Sequence, residues 1–200
     1  MFIQIIQGTC TRQDEMRKQI DRWHAERGSQ VQGWLGGTYG FADDDMFVAV
    51  VRFDSAESAM ANSESREQSE WWAQTEALFD GPVEFHDCAD VTLMMEGGSD
   101  RAGFVQIIRG TAADPEALRA MMADTELLHR MRPDIIGATL AIESDGTFTE
   151  TVAFTDEAAA RSGEQVEPPE DVREQLATAM RDVTFVDLHH PFFASRAVSA

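Results

Sequence analysis

One eight-residue segment written twice constrains this chain more than any other feature. Phe2-Ile3-Gln4-Ile5-Ile6-Gln7-Gly8-Thr9 and Phe104-Val105-Gln106-Ile107-Ile108-Arg109-Gly110-Thr111 agree at six of eight positions, 102 residues apart. Further matches follow in the same order. Leu35-Gly36-Gly37-Thr38 pairs with Ile136-Gly137-Ala138-Thr139, and Phe47 and Phe53 pair with Phe148 and Phe154, at a spacing of 101. Val83, Phe85 and Asp87 pair with Val183, Phe185 and Asp187 at 100. Collinear matches whose spacing drifts by single deletions are what duplication and divergence leave behind, so the chain reads as two copies of one unit. The copies are expected at residues 1–95 and 104–200, joined by a polar, glycine-bearing linker over 96–103.

Each copy reads as β-α-β-β-α-β. The strand from Phe2 to Thr9 is apolar on both faces, as expected of a sheet covered on both sides. Thr11 is a candidate cap for the next helix, where Met16, Ile20, Trp23 and Arg27 fall on one stripe. In the second copy Asp114 and Pro115 start a helix bearing Leu118, Met121, Met122 and Leu128. A hairpin follows in each copy. The first runs from Trp34 to Phe41 and Met46 to Phe53 through Ala42-Asp43-Asp44-Asp45; the second turns at Ser144-Asp145-Gly146. Helical patterns cover Ala56 to Ala61, Glu67 to Phe79, Glu157 to Arg161 and Pro169 to Met180. Closing strands are expected around Pro82 to Asp87 and Thr184 to Leu188. The fold class is α+β: two tandem ferredoxin-like halves, each leaving one apolar sheet face to be buried against the other in an intramolecular dimeric α/β barrel. The solution unit is then one chain with an internal pseudo-twofold, or a weak homodimer.

These features resemble the dimeric α/β-barrel superfamily, and within it the antibiotic-biosynthesis-monooxygenase-like domains, over both halves. The resemblance rests on Phe2-Ile3-Gln4-Ile5-Ile6, on Gly36-Gly37-Thr38, and on Phe53-Asp54-Ser55-Ala56-Glu57-Ser58-Ala59 opening a helix. It implies a cavity between sheet and helices in each half, and activities ranging from cofactor-free oxidation of aromatic polyketides to haem degradation and small stress-response roles. The haem-degrading branch implies an Asn, a Trp and a ligand His; here Gln7, Asn62 and Trp71 stand near those positions, without the His. The polyketide-oxidising branch implies an Asn, a Trp four residues on and a later aromatic; here Asn62 and Trp72 correspond, with Arg66 in place of the intervening Trp.

Charge narrows the partners. The formal net charge is −20, with 7 Lys/Arg against 19 Asp/Glu in residues 1–100 and 9 against 17 in residues 101–200. Neither half offers a basic face for a phosphate backbone or an anionic membrane. No apolar run reaches membrane-spanning length and no signal peptide is apparent, so a cytoplasmic location is expected, with Cys10 and Cys88 as free thiols.

Candidate site residues concentrate in the first copy. Trp34, Trp71 and Trp72 could wall a flat ligand, with Thr38, Asn62 and Gln7 as polar contacts; at the positions of Trp71 and Trp72 the second copy has Val172 and Arg173. The larger and more apolar cavity is therefore expected in residues 1–95, its aromatics being alternatively plain core. Gln4 and Gln106 sit mid-strand, where an amide needs a partner, and Arg109 and Glu150 invite a buried ion pair, though exposure at a strand edge would explain each equally well. His86, Cys88, Asp90, His189 and His190 lack diagnostic metal-ligand spacing, so no metal is assigned. No cofactor is assigned either, because Gly-x-Gly-x-x-Gly, Walker, His-Glu-x-x-His and nucleophile-elbow motifs are missing. Three functions stay open: binding of a small apolar or aromatic molecule in the first repeat; a cofactor-independent monooxygenase acting on a polyketide- or quinol-like aromatic; and a non-catalytic structural or interaction protein.

Overall fold

The computed structural model describes residues 1–95 and 97–195. Glu96, the first residue of the expected linker, and residues 196–200, the end of the expected second repeat, lie outside the described residues. The chain forms two compact units, Met1–Ala89 with the strand Phe192–Ser195, and Asp90–Pro191.

In the first unit the order is β1 (Phe2–Thr9), α1 (Gln13–Trp23), β2 (Trp34–Phe41), β3 (Met46–Phe53), α2 (Ala56–Ser63), α3 (Arg66–Glu76) and β4 (Glu84–Cys88). The second has β5 (Asp90–Met94), β6 (Phe104–Ala112), α4 (Pro115–Ala123), α5 (Thr125–Met131), β7 (Ile135–Ile142), β8 (Thr147–Phe154), α6 (Glu157–Glu164), α7 (Glu170–Ala179) and β9 (Met180–Leu188). The last strand, β10 (Phe192–Ser195), returns to the first sheet. Both sheets are antiparallel and five-stranded, in the orders β10-β2-β3-β1-β4 and β5-β7-β8-β6-β9. Four strands of each keep the ferredoxin-like order expected from the sequence.

The fifth strands were not in that expectation. Asp90–Met94, from the end of the expected first repeat, pairs with β7, while Phe192–Ser195 pairs with β2. Both additions flank a strand whose register shifts next to a glycine, at Trp34/Gly36 and at Ile135/Gly137. A Cβ at Gly36 would press on the Ala194 carbonyl at 2.8 Å, so the bare glycine backbone admits the extra strand.

Each sheet is buried on both faces. In the first, Phe2, Phe47, Ala49 and Phe53 join the helix-side core, while Ile3, Ile5, Val48 and Val50 on the other face are also buried. In the second, Phe104, Phe148, Val152 and Phe154 join the helix-side core, with Val105 and Ile107 buried opposite.

Two local expectations need correction. Thr11 does not cap α1; Arg12 holds the cap position without a side-chain bond, and the Thr11 amide and hydroxyl both donate to Asp80 Oδ2, at 2.7 and 2.9 Å. The carboxylate across the gap is the stronger acceptor. In the second unit Asp114 caps α4 with Pro115 following, as expected, but Leu128 is not on that helix. Asp124 ends α4, and its carboxylate accepts from the Leu127 amide at 2.9 Å to start α5. A side chain that competes for backbone amides breaks the stripe there. The first unit runs on instead, α1 passing directly into a π-helical turn over His24–Gly28.

Candidate active site

Aromatic side chains converge between sheet and helices in the first unit. The Trp23 ring meets Trp34 edge-on at 5.1 Å and Trp71 edge-on at 6.2 Å, Trp72 lies tilted to Trp71 at 6.2 Å, and Phe79 closes the row 6.3 Å from Trp72. The Trp23 indole donates to Gln68 Oε1 at 2.8 Å and the Trp71 indole to the Gln19 carbonyl at 3.3 Å. What remains is a cavity of about 50 Å³. An apolar cavity that takes benzene measures about 150 Å³, so this space suits a few waters rather than a ring. The buried Trp34 Nε1 and Asn62 Oδ1 have no hydrogen-bond partner among the described residues; both residues line it, and these atoms would hydrogen-bond such water.

Of the six residues singled out in the sequence, Trp34, Asn62, Trp71 and Trp72 line this small cavity. Gln7 and Thr38 do not. Gln7 donates to Glu84 Oε2 on the neighbouring strand at 2.7 Å, and Thr38 is buried on β2 opposite Val50. The expectation that the larger cavity lies in the first half is overturned: the second unit holds one of about 1080 Å³. The aromatics that suggested a ligand site occupy the space a ligand would need.

The second unit is more open in part because smaller residues stand at the equivalent positions and in part because its first helix breaks at Asp124. Ile135 replaces Trp34, Val172 replaces Trp71 and Met180 replaces Phe79, and all three line the large cavity. Where Trp23 closes the end of α1, the second unit has Thr125 just past the Asp124 break. The walls are apolar and adaptable: Met121 and Met122 on α4, Leu128 and Met131 on α5, Leu176 on α7, and Phe154 on the sheet.

Polar groups sit on this apolar background in two clusters. At one end Gln106 donates to Asp187 Oδ1 across the strand pair at 2.9 Å, matching Gln4, which donates to Asp87 Oδ1 at 2.8 Å. Both mid-strand amides thus find neighbouring carboxylates. Arg161 binds Asp187 as well, together with Glu157 at 3.1 Å and Glu164 at 3.0 Å. Burial pushes the Asp187 carboxyl up, but the bonds from Arg161 and Gln106 outweigh it and hold it below the usual range. The second cluster is an ion pair over α6, Arg132 Nη2 to Asp134 Oδ2 at 2.8 Å. Gly163, where the first unit has Asn62, makes room for it: a Cβ there would strike both partners.

Between these clusters lies Glu150. It is buried, lines the cavity, and meets no hydrogen-bond donor among the described residues. Burial pushes its carboxyl up to about 7, with the Arg132 guanidinium only partly countering. The ion pair with Arg109 expected from the sequence does not form. Arg109 faces Thr149 across the β6–β8 ladder and Glu150 faces Ile108, so the two charges point to opposite sides of the sheet. Arg109 pairs with Glu143 at 3.3 Å instead. Sequence reasoning had noticed Glu150 but missed its setting. The available signal was phase: Phe148, Glu150, Val152 and Phe154 alternate on one strand, so a carboxyl among inward-facing apolar residues must face inward.

No cluster of three or more His, Cys, Asp or Glu side chains suited to a metal occurs among the described residues. His86 lies 3.6 Å from Glu84, and His189 bonds Glu157 at 2.9 Å. No helix among these residues is long and apolar enough to cross a membrane.

No protein-family model and no curated protein matches the sequence. Solved structures do match over nearly the whole chain. A proposed monooxygenase from Fusobacterium nucleatum superposes with a TM-score of 0.74 at 9% identity, covering 98% of this chain and 94% of its own. A second proposed monooxygenase, from Lactobacillus acidophilus, gives 0.72 at 11% identity, covering 100% and 99%. An anthrone oxidase-like protein gives 0.64 at 11% identity, covering 100% and 95%. At such identities the likeness establishes the fold.

Proposed function

Starting from a chain with the ferredoxin-like fold of the dimeric α/β-barrel superfamily, in its antibiotic-biosynthesis-monooxygenase-like form, we propose that it binds a small, largely apolar molecule between the sheet and helices of its second unit. The observation that carries this reading is the Glu150 carboxyl, largely buried, with no hydrogen bond from the described residues, and opening onto the wall of a cavity of about 1080 Å³. Pockets for drug-sized ligands measure roughly 300–1,000 Å³, so this one, at the top of that range, has room for one such molecule. An apolar cavity with a few convergent polar groups is the usual form of a ligand site, and a desolvated acid on its wall favours a partner that replaces the lost hydration. The first unit, filled by its indoles, serves as packed structure. That arrangement also disfavours a purely structural role for the chain, which would be served better by two filled units.

The test uses the difference between the units. Val172→Trp restores the indole that the first unit carries as Trp71 and should plug the cavity. Nile red, a neutral apolar dye, should bind the natural protein at one site and bind the plugged variant at least about tenfold more weakly, as expected when a ligand's volume is taken by a side chain. Unchanged dye binding in a folded Val172→Trp protein refutes the location.

A second reading, cofactor-free oxygenation of a phenol or quinol, is favoured by the same carboxyl. A general base works best with a pKa near the working pH, and Glu150 is pushed up to about 7. Oxygen uptake with quinol substrates that disappears in Glu150→Gln would support it; uptake that persists in that variant would remove Glu150 as the base.

A further inference from the structure

We propose that the molecule taken up by the second unit is an organic cation, an apolar body bearing a protonated amine or amidine that pairs with Glu150. The inference rests on the ligand site proposed above and adds the charge of its occupant. Among the described residues, the arginines that line the cavity with Glu150 are committed elsewhere or exposed, Arg132 countering the acid only in part. Arg132 is held by Asp134 through both Nε, at 3.1 Å, and Nη2, at 2.8 Å. Arg161 is shared among Asp187, Glu157 and Glu164. Arg130, on α5, is exposed at the rim.

Charge around the cavity has one sign in excess. Lining the cavity with Glu150 are Arg130 and Arg132 from α5 and the loop after it, Arg161 and Glu164 from α6, Glu167 from the loop before α7, Asp171 on α7, and Asp187 from β9. Three arginines thus meet four carboxylates before Glu150 is counted, within a chain of formal net charge −20. An anionic ligand would enter against this field. A cation is drawn in by it and, once inside, supplies the donor that the described residues do not give the Glu150 oxygens. A neutral hydroxyl could donate a hydrogen bond but would leave the excess charge unanswered. The first unit makes the contrast: Ala49 stands at the position of Glu150, facing Ile6 as Glu150 faces Ile108, and the space beside it is about 50 Å³.

The experiment titrates three probes of one shape into the full chain by calorimetry at pH 7.5: 2-naphthylmethylamine, 2-naphthylmethanol and 2-naphthoate. The amine should bind roughly tenfold or more tighter than the alcohol, with the carboxylate weakest. In Glu150→Gln the amine should fall to within about threefold of the alcohol, whose own affinity changes little. Amine binding at pH 6.5 should also release protons from Glu150, seen as a dependence of the binding heat on buffer ionisation, and that dependence should vanish in the variant. If Glu150→Gln misfolds, Glu150→Ala, which installs the residue of the first unit, must give the same loss. Amine and alcohol binding equally in the natural protein, with Nile red still bound, overturns the cation and leaves the cavity reading intact. Tightest binding of the carboxylate overturns it in favour of recognition by the arginines. Failure of all three probes and of Nile red removes both readings together.

Discussion

Glu150 should make the protein less stable as pH rises, and replacing it by Gln should cancel that loss. Its carboxyl titrates at about 7 in the fold against an ordinary value of 4.5. Below pH 4.5 the group is protonated whether the chain is folded or not, and it carries no pH-dependent cost. Between these values the folded state holds a proton that the unfolded chain has released, so stability falls at about 1.4 kcal/mol per pH unit. Above pH 7 both states are ionised and the loss levels off, at about 3 kcal/mol. Gln has nearly the same shape and no charge to desolvate. The quantity to measure is therefore a double difference, variant minus parent at pH 8 compared with variant minus parent at pH 5, in which every other titrating group cancels. Urea unfolding followed by far-UV circular dichroism should show the variant gaining about 2–3 kcal/mol over that interval, a midpoint shift on the order of 1 M. Parallel pH profiles for the two proteins would mean that Glu150 is hydrated or paired, and the argument for an unsatisfied acid in the cavity would fail.

Trp34→Ala should cost roughly 3–5 kcal/mol in urea unfolding, because the indole is fully buried against Trp23; a loss under about 1 kcal/mol would show that the first unit is not tightly filled. Asp187 is held below the ordinary carboxylate value of 3.8, so the stability it contributes is present above that value and is lost as pH falls through the depressed one. Acid unfolding of Asp187→Asn, followed by circular dichroism, should accordingly be shallower below pH 4 than that of the parent. Phe192→Ala removes the ring stacked on Tyr39 at 5.3 Å and under Arg17 at 3.9 Å. Hydrogen exchange should then quicken at the β2 amides beside β10 and remain unchanged in β6–β8; uniform quickening would argue against β10 as a local closing strand.

The architecture was largely legible because it is written in periodicity and repetition. The alternation of Phe47 to Phe53 and of Phe148 to Phe154, the Asp114-Pro115 helix start and the matched glycines each declare themselves locally. The fifth strands were not legible. Asp90–Met94 and Phe192–Ser195 are short, and nothing within them says that each joins a sheet other than that of its preceding strand. The site was misplaced for a different reason. Tryptophans signal large apolar surface, but whether that surface faces a void or another ring depends on distances that composition does not carry. Trp71 and Trp72 differ from Val172 and Arg173 as the sequence shows, and the difference marks the filled unit. Glu150 is visible in the sequence, and the one-residue phase that places ladder neighbours on opposite faces decides against its pairing with Arg109.

The contrast between the units also explains how the chain can tolerate such a cavity. A void lined by Met122, Val152, Phe154 and Leu176 forgoes the contacts that packing would supply, and Glu150 adds a cost of about 3 kcal/mol near neutral pH. Both penalties fall in the second unit. In the first, the equivalent positions carry Ala49 in place of the acid and a row of indoles in place of the void, bonded through Gln68 and Gln19. A site that must stay open and hold a desolvated acid sacrifices stability for binding, as functional sites commonly do. Occupation of the cavity by a partner for Glu150 would return part of that stability, so ligand binding and thermal protection should rise together.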